Sequence, residues 1–282
     1  MTSVSGLPKL PPELEREIFD IAATAAPNMV PALLRVAHRV LEWIEPHLYR
    51  HMRISFHNPA YLLALGHALD RKPLDFFAHT ARYLSVSTAG SYGSCDLAVV
   101  ERLLGACTGI NDIFFNLSSY YVNRLPPILS VLTHLRPTHL SILGRPPVSG
   151  AFHFRLPFFQ SLTHLQLLDH GPNSALSRTW PHWPALAKLP FLTHLAVHCE
   201  EDVLAHILSV IPNLQVLVLS AFSPSQLRVS LIPRDPRVFV SPSLACVLRW
   251  YAAARGGEDL WASADAFIEK KRMGEIEESC CW

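Results

Sequence analysis

Thr138-His-Leu-Ser-Ile142, Thr163-His-Leu-Gln-Leu167 and Thr193-His-Leu-Ala-Val197 are three copies of one phrase, and their spacing decides the fold. Looser copies flank them: Arg82-Tyr-Leu-Ser-Val86 and Asn111-Asp-Ile-Phe-Phe115 before, Gln215-Val-Leu-Val-Leu219 after. Their third residues (Leu84, Ile113, Leu140, Leu165, Leu195 and Leu217) follow one another at 29, 27, 25, 30 and 22 positions. Each phrase is short and apolar at alternate positions, as a strand is. Stretches with helical or turn-like patterns, 97–107, 124–135 and 202–210, separate several of them. A parallel strand needs a crossover to reach the next, and one strand-helix unit cannot bury its apolar surfaces alone. Stacking such units buries a continuous core, so the expected fold class is α/β: a solenoid of parallel strands and helices over residues 51–240. A doubly wound sheet competes, because intervals of 29 and 30 also suit a βαβ unit. Against it, most units are too short, and no GxGxxG or GxxxxGK[ST] follows a strand.

A strand-plus-helix unit of this length resembles the leucine-rich repeat, in an irregular form that mostly lacks the Asn or Cys after LxxLxL. Alternation then sorts the side chains. Leu140/Ile142, Leu165/Leu167 and Leu195/Val197 are expected in the core. His139, His164 and His194 face the inner surface of the curve as a ladder, flanked by Tyr83 and Asp112, with Ser141, Gln166 and Ala196 one step on. Phe114, Leu143, Leu168 and Val218 share that side and form an apolar stripe. Such a stripe binds a protein or peptide, or is covered by a loop or the terminal helices. The expected partner-binding residues are His139, His164, His194, Phe114, Leu168 and Gln166, with Gln166 tolerant of substitution because it faces out. Three imidazoles in a column also raise zinc, but no Cys or carboxylate joins them except Asp112 at the edge. A row of amphipathic side chains is the preferred reading, and no metal or cofactor is expected.

Composition agrees. Half of the 282 residues are apolar and 17% are charged, which excludes a disordered or polyelectrolyte chain. A net charge of +1 gives no reason to expect nucleic acid. Six cysteines without a CxxC fit a reducing compartment, and no signal peptide opens the chain, so a cytoplasmic or nuclear location is expected. Residues 203–227 lack Asp, Glu, Lys and Arg, yet Pro212-Asn213 divides them into helix, turn and strand, so no membrane span is expected. No GxSxG elbow, HExxH helix or other nucleophile motif occurs, so no catalytic residues are assigned and the chain is read as a non-enzyme. Cys280-Cys281-Trp282 is not a CaaX box.

Both ends read as helical. Leu10-Pro-Pro-Glu-Leu-Glu-Arg-Glu-Ile-Phe19 opens a helix with prolines at its start, acidic residues in its first turns and an apolar face through Leu14, Ile18, Ile21, Ala22 and Ala25. A second helix is expected from Asn28 through Ile44, interrupted at Pro46, with a strand over 49–55. At the far end 234–240 reads as a last strand, and helices over 244–254 and 258–271, broken at Gly256-Gly257, read as a closing cap over 241–282.

Leu10-Pro-Pro-Glu-Leu14 with Ile18-Phe19 resembles the opening of the F-box, LPxEL then IF. Leu33-Leu-Arg-Val-Ala-His-Arg39 resembles its second half, without the expected Trp at position 40 and at a longer spacing. With the repeats and Gly257-Glu-Asp-Leu-Trp261, the order is similar to F-box-like proteins of mushroom-forming fungi. The resemblance covers residues 7–50. It implies a substrate-recognition adaptor of a ubiquitin ligase: Leu10, Pro11, Leu14, Ile18 and Phe19 divide between helix packing and docking a Skp1-like linker, while the repeats bind an unknown target protein. A stand-alone protein-binding scaffold, or an α/β enzyme of unrecognised type, are the alternatives.

Overall fold

Among the described residues, eight strands lie side by side in one all-parallel open sheet whose spatial order is the chain order. The computed structural model describes residues 10–55, 58–73, 75–87, 97–117, 132–144, 153–168, 176–221 and 232–277. The strands are β1 His51–Ser55, β2 Tyr83–Ser87, β3 Asp112–Asn116, β4 His139–Leu143, β5 His164–Leu168, β6 His194–Val197, β7 Val216–Ala221 and β8 Val238–Pro242. A doubly wound sheet reverses direction at a switch point. This order never reverses, which sets that reading aside.

The register follows the repeated phrase. Tyr83, Asp112, His139, His164, His194 and Val216 pair in one row, and Leu84, Ile113, Leu140, Leu165, Leu195 and Leu217 in the next. Second and fourth strand residues enter the main core, from Met52 and Ile54 in β1 to Leu217 and Leu219 in β7, and the first and third residues of β8, Val238 and Val240, pair with these last two and continue the rows. The helices that cover this face are α4 Pro59–Arg71, α5 Phe76–Thr80, α6 Leu97–Ala106, α7 Trp183–Leu186 and α8 Glu201–Val210. Asn58 starts α4 by accepting the amide hydrogen of Tyr61. The crossover helix expected over 124–135 falls mostly outside the described residues, as does the Cys280-Cys281-Trp282 tail.

At the start of the chain, α1 Pro12–Ala25 packs on α3 His38–Tyr49 through Phe19, Ala23, Val40 and Ile44. Arg39 holds the Glu15 carboxylate with both Nε and Nη2, fixing the pair in register. The second expected helix is two: α2 Val30–Leu33 ends in a turn, and α3 begins at His38. The break lets Val30 and Leu33 reach the α1–α3 core from another direction. Pro46 does not interrupt α3, which runs on to Tyr49, because proline near a helix end removes only one backbone bond.

The last two helices, α9 Ser243–Ala253 and α10 Leu260–Arg272, turn back across the opposite face of the sheet. Gly256 joins them at φ +85°, in the left-handed region. Gly144, just after β4, has φ +103°, and a Cβ there would sit 2.2 Å from the Leu117 carbonyl oxygen. Both the conformation and the close approach require glycine.

Leu165 is fully buried between adjoining units, so Leu165→Asp should bury an unpaired carboxylate and cost several kcal/mol, enough to unfold a marginal domain. Leu165→Ala should cost about 2–5 kcal/mol. Chemical denaturation of both variants checks the register; an unchanged midpoint for Leu165→Asp would refute it.

Candidate functional site

The inner-face residues converge on a seam between the sheet and α9–α10. In the row His139, His164, His194, the rings stack with centroids 4.1 and 4.0 Å apart, at 15° and 23°. Each ring is held by the threonine before it. Nδ1 lies 2.9, 2.7 and 2.8 Å from the Oγ1 of Thr138, Thr163 and Thr193. The same hydroxyls reach back to the carbonyls of Asn111, Thr138 and Thr163 at 3.3, 3.0 and 3.4 Å. A hydroxyl that donates to a carbonyl accepts from Nδ1–H, which leaves Nε2 without a proton in His139 and His164. His194 differs, because its Nε2 faces the Asp265 carboxylate at 3.0 Å and must carry a proton. Thr193 has the longest carbonyl contact of the three, as expected if its hydroxyl turns to donate to His194 Nδ1. The hydrogens are assigned from this network.

Trp261 of α10 meets His164 and His194 edge-on, and Trp250 of α9 stacks on Phe114 at 5.0 Å. The Trp250 indole N–H donates to the Asp112 carboxylate at 2.6 Å. Burial raises the Asp112 carboxyl to about 7, against the indole bond that favours its charge and with the Asp259 charge adding to the rise. Burial lowers His164 to about 2, helped by repulsion from His139 and His194, and lowers His139 and His51 in the same direction, His51 to about 4. The middle of the ladder is a stack of neutral imidazoles.

One step along the strands, Ser141 donates to Gln166 Oε1 at 2.9 Å. Gln166 Nε2, Ser220 Oγ and Ser241 Oγ are buried without hydrogen-bond partners, and the weakly bonding thiol of Cys246 faces all three. Burial raises that thiol. A cavity of about 20 Å³ lies between Asp112, His139, Gln166, Arg249 and Asp259, room for one water molecule. Nothing of substrate size fits there.

The expected inner-face residues are therefore brought together, but beneath the chain's own helices. Phe114, Leu168 and Gln166 are 1%, 0% and 2% exposed, His194 is buried, and His139 and His164 are half-buried. Of the two outcomes expected for the apolar stripe, cover by the terminal helices is the one observed. Gln166 does point away from the main core, but it is not at the surface, so tolerance there does not follow. The ladder is not arranged as a metal centre: stacked rings direct their nitrogens side by side rather than toward one point, and among the described residues no group of three His, Cys, Asp or Glu side chains converges to hold a metal. The role of the threonines was missed, although Thr-His-Leu is repeated three times in plain view.

The second candidate site is the outer face of α1. Leu10, Leu14, Ile18 and Ile21 are 55%, 48%, 53% and 61% exposed, with Leu14, Ile18 and Ile21 at four- and three-residue steps on one side of the helix. Pro11 is also exposed, and Phe19 turns inward to Val40 and Ile44. Of the five residues of the LPxEL-IF phrase, four are thus exposed and Phe19 packs inward.

No family model and no curated protein matches this chain. Among the described residues, no helix is long and apolar enough to cross a membrane.

The seam has a definite pH dependence. Lowered imidazoles stabilise the folded form above about pH 6.5, the unfolded value, and that stability is lost as pH falls toward 4. Asp112 works oppositely: its raised carboxyl stabilises at low pH, and this is lost as pH rises toward 7. Between pH 6.5 and 4.5 the lowered imidazoles outweigh one carboxyl, so unfolding should take up protons and Tm should fall with acid. His164→Gln should reduce that uptake by about one, read from Tm against pH. An identical slope in the variant would refute the neutral stack. Gln166→Asp, a charge beside unpaired buried groups, should cost several kcal/mol in the same measurement at pH 7.

Proposed function

We propose that the chain is an adaptor in which the F-box-like helices of residues 7–50 dock on a Skp1-like linker of a cullin ubiquitin ligase, with irregular leucine-rich repeats behind them and α9–α10 as their cap. One observation carries this reading. A helix packed on its own core still exposes Leu14, Ile18 and Ile21 together, with Leu10 exposed in the segment that leads into it. An apolar helix face left bare on a folded protein marks an interaction surface. The side chains that match the LPxEL-IF phrase are those at that face, apart from Phe19, which holds the helix to α3. The repeats serve as the body that carries a target protein. Their inner face is available to a target only where α9 and α10 leave it, so the target meets the rims of the sheet or displaces those helices.

A second reading, a repeat scaffold without a ligase role, is favoured by the turn at residues 34–37. It interrupts the segment that matches the second half of the F-box, and α1 then serves as an N-terminal cover with a bare outer side.

Co-purification with a Skp1-type linker separates the two. Leu14→Ala with Ile18→Ala should remove about 100 Å² of apolar contact, about 2–3 kcal/mol, and weaken the complex roughly 30- to 150-fold. The melting curve should barely move, because both side chains are exposed. Phe19→Ala should instead lower the melting point and lose binding as a consequence. Wild-type protein that captures no linker at micromolar concentration would leave the scaffold reading.

A further inference from the structure

Where α3 and α5 end against the starts of β2 and β3, a crevice of about 420 Å³ opens. His47, Arg50, His79, Arg82 and Asn111 line it, and no carboxylate does. Arg50 is the anomaly. Its Nε is buried with no hydrogen-bond partner, and its guanidinium sits 5.8 Å from the centre of the Tyr83 ring. Arg82 is anchored beside it: Nη1 donates to the carbonyls of Ala78, Ala81 and Gly109 at 3.0, 3.1 and 3.2 Å. That fixes the plane of the group and answers the carbonyls at the end of α5, so Arg82 lines the crevice as a positioned cation. Two of its histidines already face acids, His47 with Asp20 at 3.1 Å and His79 with Asp75 at 3.9 Å. Among the described residues Arg50 makes no ion pair and no carboxylate lines the crevice, so its charge is left for an anion to balance.

We propose that this crevice binds a phosphate-type oxyanion. Two guanidinium groups with the Asn111 side chain approach from different elements, which suits a tetrahedral anion with several acceptor oxygens better than chloride. The volume exceeds what inorganic phosphate fills, leaving room for the group that bears the phosphoryl. This site is separate from the α1 face and does not depend on the adaptor reading.

The test is thermal melting of the full chain in inorganic phosphate and in O-phosphoserine, each against chloride at equal ionic strength. Wild type should gain about 3 °C at ten times Kd over the chloride control. Arg50→Met should lose that gain while keeping its melting point without phosphate, since it removes a donor that lacks a partner. His79→Asp alters an exposed side chain and places a carboxylate in the crevice; it too should abolish the gain, and it serves if Arg50→Met fails to fold. A larger gain with phosphoserine than with phosphate would identify a phosphorylated side chain as the source, and equal gains the free ion. No gain in wild type beyond chloride, or an undiminished gain in either folded variant, would overturn the site.

Discussion

The sheet is buried on both faces, and the rest of the molecule is arranged around that constraint. A parallel sheet in chain order receives its crossover helices on one side only, since each unit returns the chain by the same route. The other side is left to whatever remains. Here Phe114, Leu143, Leu168, Ala196, Val216 and Val218 make it too apolar to face water, and Trp250, Leu260, Trp261, Ala264 and Ile268 supply the cover. The two cores are built from alternating residues of the same strands, so a slip of one position would exchange them. Register is therefore enforced from both sides at once, and the Thr138 and Thr163 hydroxyls, which tie β4 and β5 to the carbonyls of Asn111 and Thr138, add a polar lock at the strand entry.

Much of this was legible in the sequence because the repeat is written in the strands. Thr-His-Leu at 138, 163 and 193 fixes both register and face, and the looser phrases at 82, 111 and 215 pair in the same rows. What was not legible is which surface the terminal helices choose. The alternation that sends Gln166 away from the main core is the same whether water or α9 waits on the far side. Local pattern records the face of a strand, not its distant neighbour: Trp250 and Asp112 are 138 positions apart. The break before α3 was hidden for a different reason. Residues 34–37 contain no glycine or proline to announce a turn, and the packing of Val30 and Leu33 against α1 overrides their helical spacing.

The polar content of the seam follows from how it is closed. A wholly apolar inner face would satisfy the covering helices with packing alone. This one carries a column of imidazoles, one carboxyl, and hydroxyl and amide groups whose partners must come from α9 and α10 or be missing. Trp250 answers Asp112 and Asp265 answers His194, each with one bond that also fixes where the helix lies along the sheet. Gln166 Nε2, Ser220 Oγ and Ser241 Oγ go without. Polar groups met from only one side add little net stability but penalise every misplaced arrangement of the helices, so they select one docking position from those that the apolar residues alone would allow.

The molecule thus treats its two surplus apolar surfaces differently, and geometry explains the difference. The inner face of the sheet is broad and polar at intervals, so only a cover with matched groups can close it, and the chain supplies that cover from its own residues 243–272. The outer face of α1 is a single helical stripe with Glu13, Arg16 and Glu17 between its apolar residues, narrow enough to stay in water without unfolding the helix that bears it. Covering it would require another element on the far side of α1. Among the described residues the nearest approach is the glycine turn at Gly256, which borders the groove beside Ile21 and Thr24 and stops there. A surface that solvent tolerates and the chain does not cover can be occupied by a partner at no cost to the fold, whereas any ligand of the inner face must first compete with two tryptophans.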